Sequence, residues 1–352
     1  MFRLPALRRT LEASLRDASS RSDATRASAL GDLVHHAETA RAEVLAALER
    51  GLSDDAAGVR AAAAIGLADL QAVEALRSLL VAVEDDDPYV RQMALAAIGE
   101  LGDSRAGERL RRALSDPRPE VRFQAVIAFT RVVPEDALDA VERATSDTDA
   151  SIRYIALRCG EEHTLGHDRA MPASLLACAA ALLDDPDTAV RVAAAVLLAR
   201  AGEKVGVPLL IEVASGRLTT REHEDEAAAI ELLGELGVAE AVPYLERRAF
   251  AYLGFGEGRF AWQALVSLAT MGHQRARSRI LRDLRSWSRD RRTLAVAAAG
   301  RAKVDEARPL VLGMQGDEAR ADAHTVALAL DQLGRAVQVG ASPHLAIEGG
   351  AS

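Results

Sequence analysis

Four arginines, Arg60, Arg91, Arg122 and Arg153, stand 31 residues apart, and Arg191 follows 38 residues after the last of them. Each is preceded by a β-branched apolar residue: Val59, Val90, Val121, Ile152 or Val190. Six positions before each arginine lies an aspartate, namely Asp54, Asp85, Asp116, Asp147 or Asp185, and three positions after it an alanine. Four features in register over five copies constrain the fold more than anything else in the chain. An internal period of this length is the signature of units that stack in series, each touching its neighbours only.

Within a unit the pattern is helical. In the second copy Val90, Ala94, Ile98 and Leu101 fall four, four and three apart, on one face of an α-helix. Gly99 and Gly102 are read as breaking it, and Leu110 and Leu114 mark a second helix. Neither helix buries its apolar stripe alone, so the pairs must stack. Weaker copies of the first helix occur at 22–33, around Arg26, and at 223–237, 258–272, 291–302 and 319–334, about ten in all. The organisation expected is an amphipathic capping helix over 1–16, with Leu4, Leu7, Leu11 and Leu15 on one face, a repeat array over 17–335, and a tail over 336–352. No alternating Val/Ile/Thr-rich segment suggests a sheet, and the aromatic content of 3% alongside abundant alanine suits closely packed helices.

At this point the residues resemble a known family. The D-x(5)-R spacing, the apolar residue before the arginine and the small residues within the first helix look like HEAT repeats, closest to the short-repeat, phycobilin-lyase-like branch. The resemblance implies an all-α, right-handed α-solenoid of stacked antiparallel helix pairs. It also implies a ladder in which Asp54, Asp85, Asp116, Asp147 and Asp185 bond with Arg60, Arg91, Arg122, Arg153 and Arg191 across adjacent repeats. Elementary electrostatics is consistent with that role. An aspartate ahead of a helix can cap its free N–H groups, whereas an arginine there is disfavoured by the helix dipole unless a carboxylate holds it. A group that recurs five times is scaffold rather than catalyst.

Bulk properties narrow the function classes. The formal net charge of −9 argues against general attraction to nucleic acid or anionic membrane. Cys159 and Cys178 make no disulfide framework, no segment nears the ~20 apolar residues of a membrane span, and the N-terminus lacks a secretion signal, so a soluble cytoplasmic protein is expected. Only Lys204 and Lys303 among the 43 basic residues are lysines, a codon-level hint of a GC-rich, bacterial source.

Function is expected where the repeat departs from its own rule. The unit lengthened around 158–172 carries Cys159, His163 and His167, four apart, which would line one face of a continuous helix; Gly160, Gly166 and Pro172 argue instead for a loop, and no metal is expected. His223 among Glu222, Glu224, Asp225 and Glu226 reads as an acidic helix start rather than a cation site. The third departure is richer. Tyr244, Phe250, Tyr252, Phe255, Phe260 and Trp262 surround the glycine-rich stretch 253–260, which also holds Arg259 and lacks the preceding strand or the lysine of a phosphate-binding loop. An arginine-rich helix over 273–292 follows, with Arg275, Arg279, Arg282 and Arg285 among its eight arginines and Ile280, Leu281, Leu284 and Trp287 on an apolar side.

Aromatics beside arginines are favoured anchors of binding surfaces, although large side chains also fill gaps in irregular repeats, and the sequence leaves both readings open. The leading expectation is a non-enzymatic scaffold or adaptor that uses no cofactor. It would grip a protein partner with an acidic segment through a concave face of second helices and through the repeats near 244–292. The alternatives are a chromophore-processing protein, implied by the phycobilin-lyase-like resemblance, and a HEAT-like DNA-binding or DNA-glycosylase protein, for which the basic stretch is too short.

Overall fold

The computed structural model describes residues 8–165, 170–220, 222–250 and 260–335. Among the described residues there are twenty α-helices and no strand. They run, in chain order, α1 (Leu11–Asp17), α2 (Asp23–Val34), α3 (Ala37–Gly51), α4 (Ala57–Asp69), α5 (Leu76–Ala82), α6 (Pro88–Leu101), α7 (Gly107–Ala113), α8 (Pro119–Val132), α9 (Ala137–Ala144), α10 (Ala150–Leu165), α11 (Ala173–Ala181) and α12 (Thr188–Arg200). Then follow α13 (Val207–Ser215), α14 (His223–Glu235), α15 (Val242–Ala249), α16 (Ala261–Thr270), α17 (Gln274–Asp283), α18 (Arg289–Arg301), α19 (Arg308–Leu312) and α20 (Ala323–Arg335). The even-numbered helices are ten first helices, and the odd-numbered ones from α3 to α19 are their nine second helices; the last first helix has no second among the described residues. Two compact units result, 1–197 and 198–352, the division falling within α12.

The second copy shows how the sequence builds a unit. Asp87 accepts the backbone N–H groups of Tyr89 and Val90, Pro88 occupies the first helical position, and Gly102 ends α6 in the left-handed region at φ 65°. Val90, Ala94 and Ile98 lie on the inward face with no exposure. Burying a Val or Ile side chain fully is worth about 1.5–3 kcal/mol, so each unit's stability comes from the neighbour that covers this stripe. Gly99 does not break α6. It lies within the helix, where a Cβ would come 3.1 Å from the Cα of Ala128, so its missing side chain lets α6 and α8 approach backbone to backbone. Gly234 does the same in the second unit: a Cβ there would lie 2.6 Å from the Cα of Ser267, whose hydroxyl donates to the Ile230 carbonyl at 2.9 Å.

The first helices thus form the tight row of each unit. Successive second helices touch one another lightly and leave grooves, one of about 680 Å³ bordered by Leu76, Arg77, Val81 and Arg109. At the N-terminal end α1 packs on α2, with Leu11 and Leu15 partly buried against the core; Leu4 and Leu7 lie outside the described residues. No helix among the described residues is long and apolar enough to cross a membrane.

Candidate functional site

The recurring arginines are occupied. Each directs Nε and Nη2 to the two carboxylate oxygens of the aspartate in the following unit: Arg26 to Asp54, Arg60 to Asp85, Arg91 to Asp116, Arg122 to Asp147 and Arg153 to Asp185, over 2.6–3.0 Å. The Nη1 of Arg60, Arg91, Arg122, Arg153 and Arg191 donates to the carbonyl of its own unit's aspartate, six residues back, at 2.7–2.9 Å. The fork geometry of guanidinium serves both acceptors at once, which a lysine would not. Arg191 closes the run differently, with Nη2 on the Thr188 hydroxyl at 3.0 Å.

These aspartates are not the helix caps that their position suggests. Asp85 accepts the N–H of Asp87 at 2.9 Å, closing a turn, and Asp87 is the residue that caps α6. The same two-residue offset places Ala56, Arg118, Asp149 and Asp187 after Asp54, Asp116, Asp147 and Asp185. The Arg26 guanidinium holds the Asp54 carboxyl below the usual carboxylate range. At Asp85, Asp147 and Asp185 burial pushes upward, but the arginine and the turn N–H outweigh it, and these carboxyls too sit low. A ladder whose donors and acceptors satisfy one another binds the stack together and leaves little for a ligand.

The aromatic and arginine residues of the second unit divide into two places. On the second-helix row, Tyr244 of α15 lies between Arg217 and Arg247, whose guanidinium carbons stand 5.6 and 5.8 Å from its ring centre. Phe250, just after α15, is covered by Arg275 of α17 at 4.1 Å, with the His273 ring 6.4 Å away. The Nε2 of His273 lies 3.1 Å from Glu246. Phe260, at φ 62°, and Trp262 instead begin the first helix α16, half-buried. Tyr252, Phe255 and Arg259 lie outside the described residues.

The arginine-rich stretch is not one helix. Ser288 accepts the Arg291 N–H and starts α18, so α17 stops at Asp283 and a short connection separates them. Ile280 and Leu284 are buried, but Trp287, in the connection, is 93% exposed rather than part of an apolar helix side. Arg279 pairs with Asp283 at 2.6 Å and Arg277 reaches Glu306 at 3.7 Å. Arg247, Arg275, Arg282 and Arg285 are exposed and carry no acidic partner among the described residues. Arg292 takes the ladder position of its unit: Nη1 donates to the Ser286 carbonyl six residues back at 2.7 Å, while Nε and Nη2 donate to the carbonyls of Arg320 and Ala319. Ser286 in place of aspartate hides this copy from a search for D-x(5)-R.

The remaining departures change character. α10 runs through Gly160 to Leu165, so Cys159 and His163 stand on a continuous helix rather than in a loop, while His167 lies outside the described residues. A Cβ at Gly160 would lie 3.0 Å from a methyl of Leu175, so this glycine too serves close packing. Burial pushes the Cys159 thiol up to about 11. Glu226 pairs with Arg248 at 2.7 Å and Asp225 is buried, so these two acids are drawn into the start of α14, while Glu222 and Glu224 are exposed. No group of three metal-ligating side chains occurs among the described residues.

Residues 73–159 match the family described as HEAT repeats. The fold is similar to that of YibA from E. coli, at 15% identity and a TM-score of 0.55, covering 75% of this chain and 92% of that one. A likeness at 19% identity and TM-score 0.44, covering 70% of this chain and 97% of the other, is found to the CpcE–CpcF complex of phycocyanin lyase from Nostoc sp.. Importin beta is similar at 14% identity and TM-score 0.44, over 92% of this chain and 55% of that chain. No curated protein matches the sequence. Residues 73–159 thus carry HEAT repeats, and helix pairs of the same kind continue on both sides of them among the described residues.

Proposed function

We propose that the chain is a protein-binding module, and that the second-helix row of 198–352 grips an acidic segment of a partner protein. The observation that carries this reading is the cationic patch of α15, α17 and the connection after it. There Arg275 stacks on Phe250 at 4.1 Å, Arg247, Arg282 and Arg285 are exposed without acidic partners among the described residues, and Trp287 is 93% exposed. Arginine and tryptophan are the side chains that most often dominate binding energy. Stacking on Phe250 also fixes Arg275 in advance, lowering the ordering cost of a contact. A net-acidic chain that concentrates exposed arginines on one row selects an acidic peptide over a large polyanion, which the remaining carboxylates repel.

The test is a titration of a fluorescein-labelled peptide of alternating Glu and Leu/Phe residues, read by anisotropy, against wild type and an Arg275→Ala/Arg282→Ala/Arg285→Ala variant with unchanged helical CD. The expected result is a Kd at least tenfold weaker in the variant and a binding constant that falls with salt. Equal affinity for the two proteins would remove the patch from the reading.

A further inference from the structure

The outward face of the first helices in 1–197 has no part in the ladder or in the arginine patch, yet it carries large apolar side chains among its polar ones. Relative to the ladder arginine, the outward positions of α4, α6, α8 and α10 fall at −2, +2, +5 and +9, exposed or partly buried, a spacing of four, three and four that traces a single stripe. In α6 these are Tyr89, Met93, Ala96 and Glu100, and Tyr89 is 52% exposed. The α4 stripe presents Ile65, which is 40% exposed; α8 and α10 add the partly buried Ile127 and Ile155, between Glu120, Gln124 and Arg131 of α8 and Ser151, Arg158 and Glu162 of α10, while the partly buried Phe123 stands beside the α8 stripe. Because α4, α6, α8 and α10 pack side by side, and α6 meets α8 backbone to backbone at Gly99, the stripes join into one surface. None of these side chains is needed beneath it, where Val90, Ala94 and Ile98 already close the core. Single exposed apolar residues are ordinary on a protein surface; six large apolar side chains on four adjacent helices, Ile65 and Tyr89 exposed and the others partly buried, are less so.

The borders of this surface are acidic. Asp55 and Asp86 stand at the entries of α4 and α6, and Asp69 and Glu162 at the far ends of the α4 and α10 stripes, all exposed and without an arginine partner among the described residues. The cations nearby are spoken for: Arg131 pairs with Glu100 at 2.6 Å, Arg118 with Glu120 at 2.8 Å, and Arg158, within the α10 stripe, with Glu161 at 3.0 Å. The unit as a whole agrees, since 1–197 holds 23 basic against 32 acidic residues, whereas 198–352 holds 20 of each.

We propose that the first-helix face of α4, α6, α8 and α10 is a second docking surface, for a cationic amphipathic helix of a partner protein. The apolar side of that helix would cover Ile65, Tyr89, Met93, Phe123, Ile127 and Ile155, and its Lys or Arg residues would face Asp55, Asp69, Asp86 and Glu162. Four helices at roughly 8–10 Å spacing make a face about 30 Å across, which matches some eighteen to twenty residues of helix at ~1.5 Å each. Laying an apolar helical stripe into a complementary apolar surface is a recurrent recognition mode, and the acidic border supplies its polarity.

The experiment uses the full chain and a fluorescein-labelled, eighteen-residue amphipathic leucine–lysine helix, with a scrambled peptide of the same composition as control. The expected result is at least tenfold tighter binding of the amphipathic peptide than of the scrambled one. That preference disappears in an Ile65→Ser/Tyr89→Ser variant, which alters exposed side chains only, and weakens in Asp69→Asn/Asp86→Asn/Glu162→Gln. The arginine variant of the other patch keeps the preference, so the two surfaces fail or stand separately. Equal binding of amphipathic and scrambled peptides, or undiminished binding in Ile65→Ser/Tyr89→Ser, would overturn the proposal. So would a wild-type dimer by light scattering that the same variant dissolves, because a second copy would then be the occupant.

Discussion

Substituting the partners of a single rung, Arg122 and Asp147, shows how much the ladder contributes. The two carboxylate bonds are both 2.8 Å long, and each side chain keeps 15% of its exposure. At an effective dielectric near 20, unit charges about 4 Å apart attract by roughly 4 kcal/mol, from which desolvation and side-chain ordering subtract most. Arg122→Met also frees the carbonyls of Asp116 and Pro117 and leaves the Asp147 carboxylate, largely buried, with only its turn N–H and the Thr148 hydroxyl at 3.4 Å. That variant is expected to lose about 2–3 kcal/mol, and Asp147→Asn, which keeps an acceptor for both the turn and the arginine, about 1–2 kcal/mol. If the rung acts as a pair, the double variant loses little more than Arg122→Met, giving a coupling of about 1–2 kcal/mol.

Urea rather than guanidinium keeps the ionic strength low, with helical CD as the signal. Since a stack of repeats can unfold in parts, hydrogen exchange of α8 and α10 amides should localise the loss to that interface. A coupling below about 0.3 kcal/mol, or faster exchange spread evenly along the chain, would refute the claim that the rung joins neighbouring units.

Three further outcomes are expected. The carboxyls of Asp54, Asp85, Asp147 and Asp185 sit below their unfolded values, so their stabilisation is complete above the unfolded pKa of about 4 and is lost as pH falls through the folded values. Urea midpoints should therefore be flat from pH 5 to 7 and drop below pH 4, and a midpoint unchanged at pH 3 would contradict this. Gly234→Ala should destabilise by about 1–3 kcal/mol because its Cβ would press within 2.6 Å of the Ser267 backbone, while Gly31→Ala, with nothing within 4 Å, should gain up to about 1 kcal/mol from helix propensity. Equal midpoint shifts for the two would remove the close-approach argument. Acrylamide should quench Trp287 strongly and the half-buried Trp262 weakly, and Trp287→Phe should abolish the accessible component.

Periodicity made the helix pairs and their number legible, because each unit repeats one local rule: an apolar stripe at helical spacing followed by a short second helix. What depends on the neighbouring unit was harder to read. Gly99 and Gly160 look like breaks in isolation and become close-packing positions only when Ala128 and Leu175 lie opposite them. The ladder aspartate looks like a cap, yet its side chain is committed to the arginine of the preceding unit, and the cap falls two residues later. A continuous run of arginines over 273–292 masks the Ser288 cap that divides it, and with it the exposure of Trp287. The first-helix stripe of 1–197 escapes notice because Tyr89, Ile127 and Ile155 lie in different units and meet only across the stacked helices.

The central claim, that the arginine row of the second unit recognises an acidic segment, is tested most directly by hydrogen–deuterium exchange of the full chain with and without the labelled acidic peptide. Added protection is expected over 242–250 and 274–288, and none over 57–69 or 88–101. Protection confined to the first-helix stripes, or none at all at a peptide concentration that saturates the anisotropy signal, would contradict it.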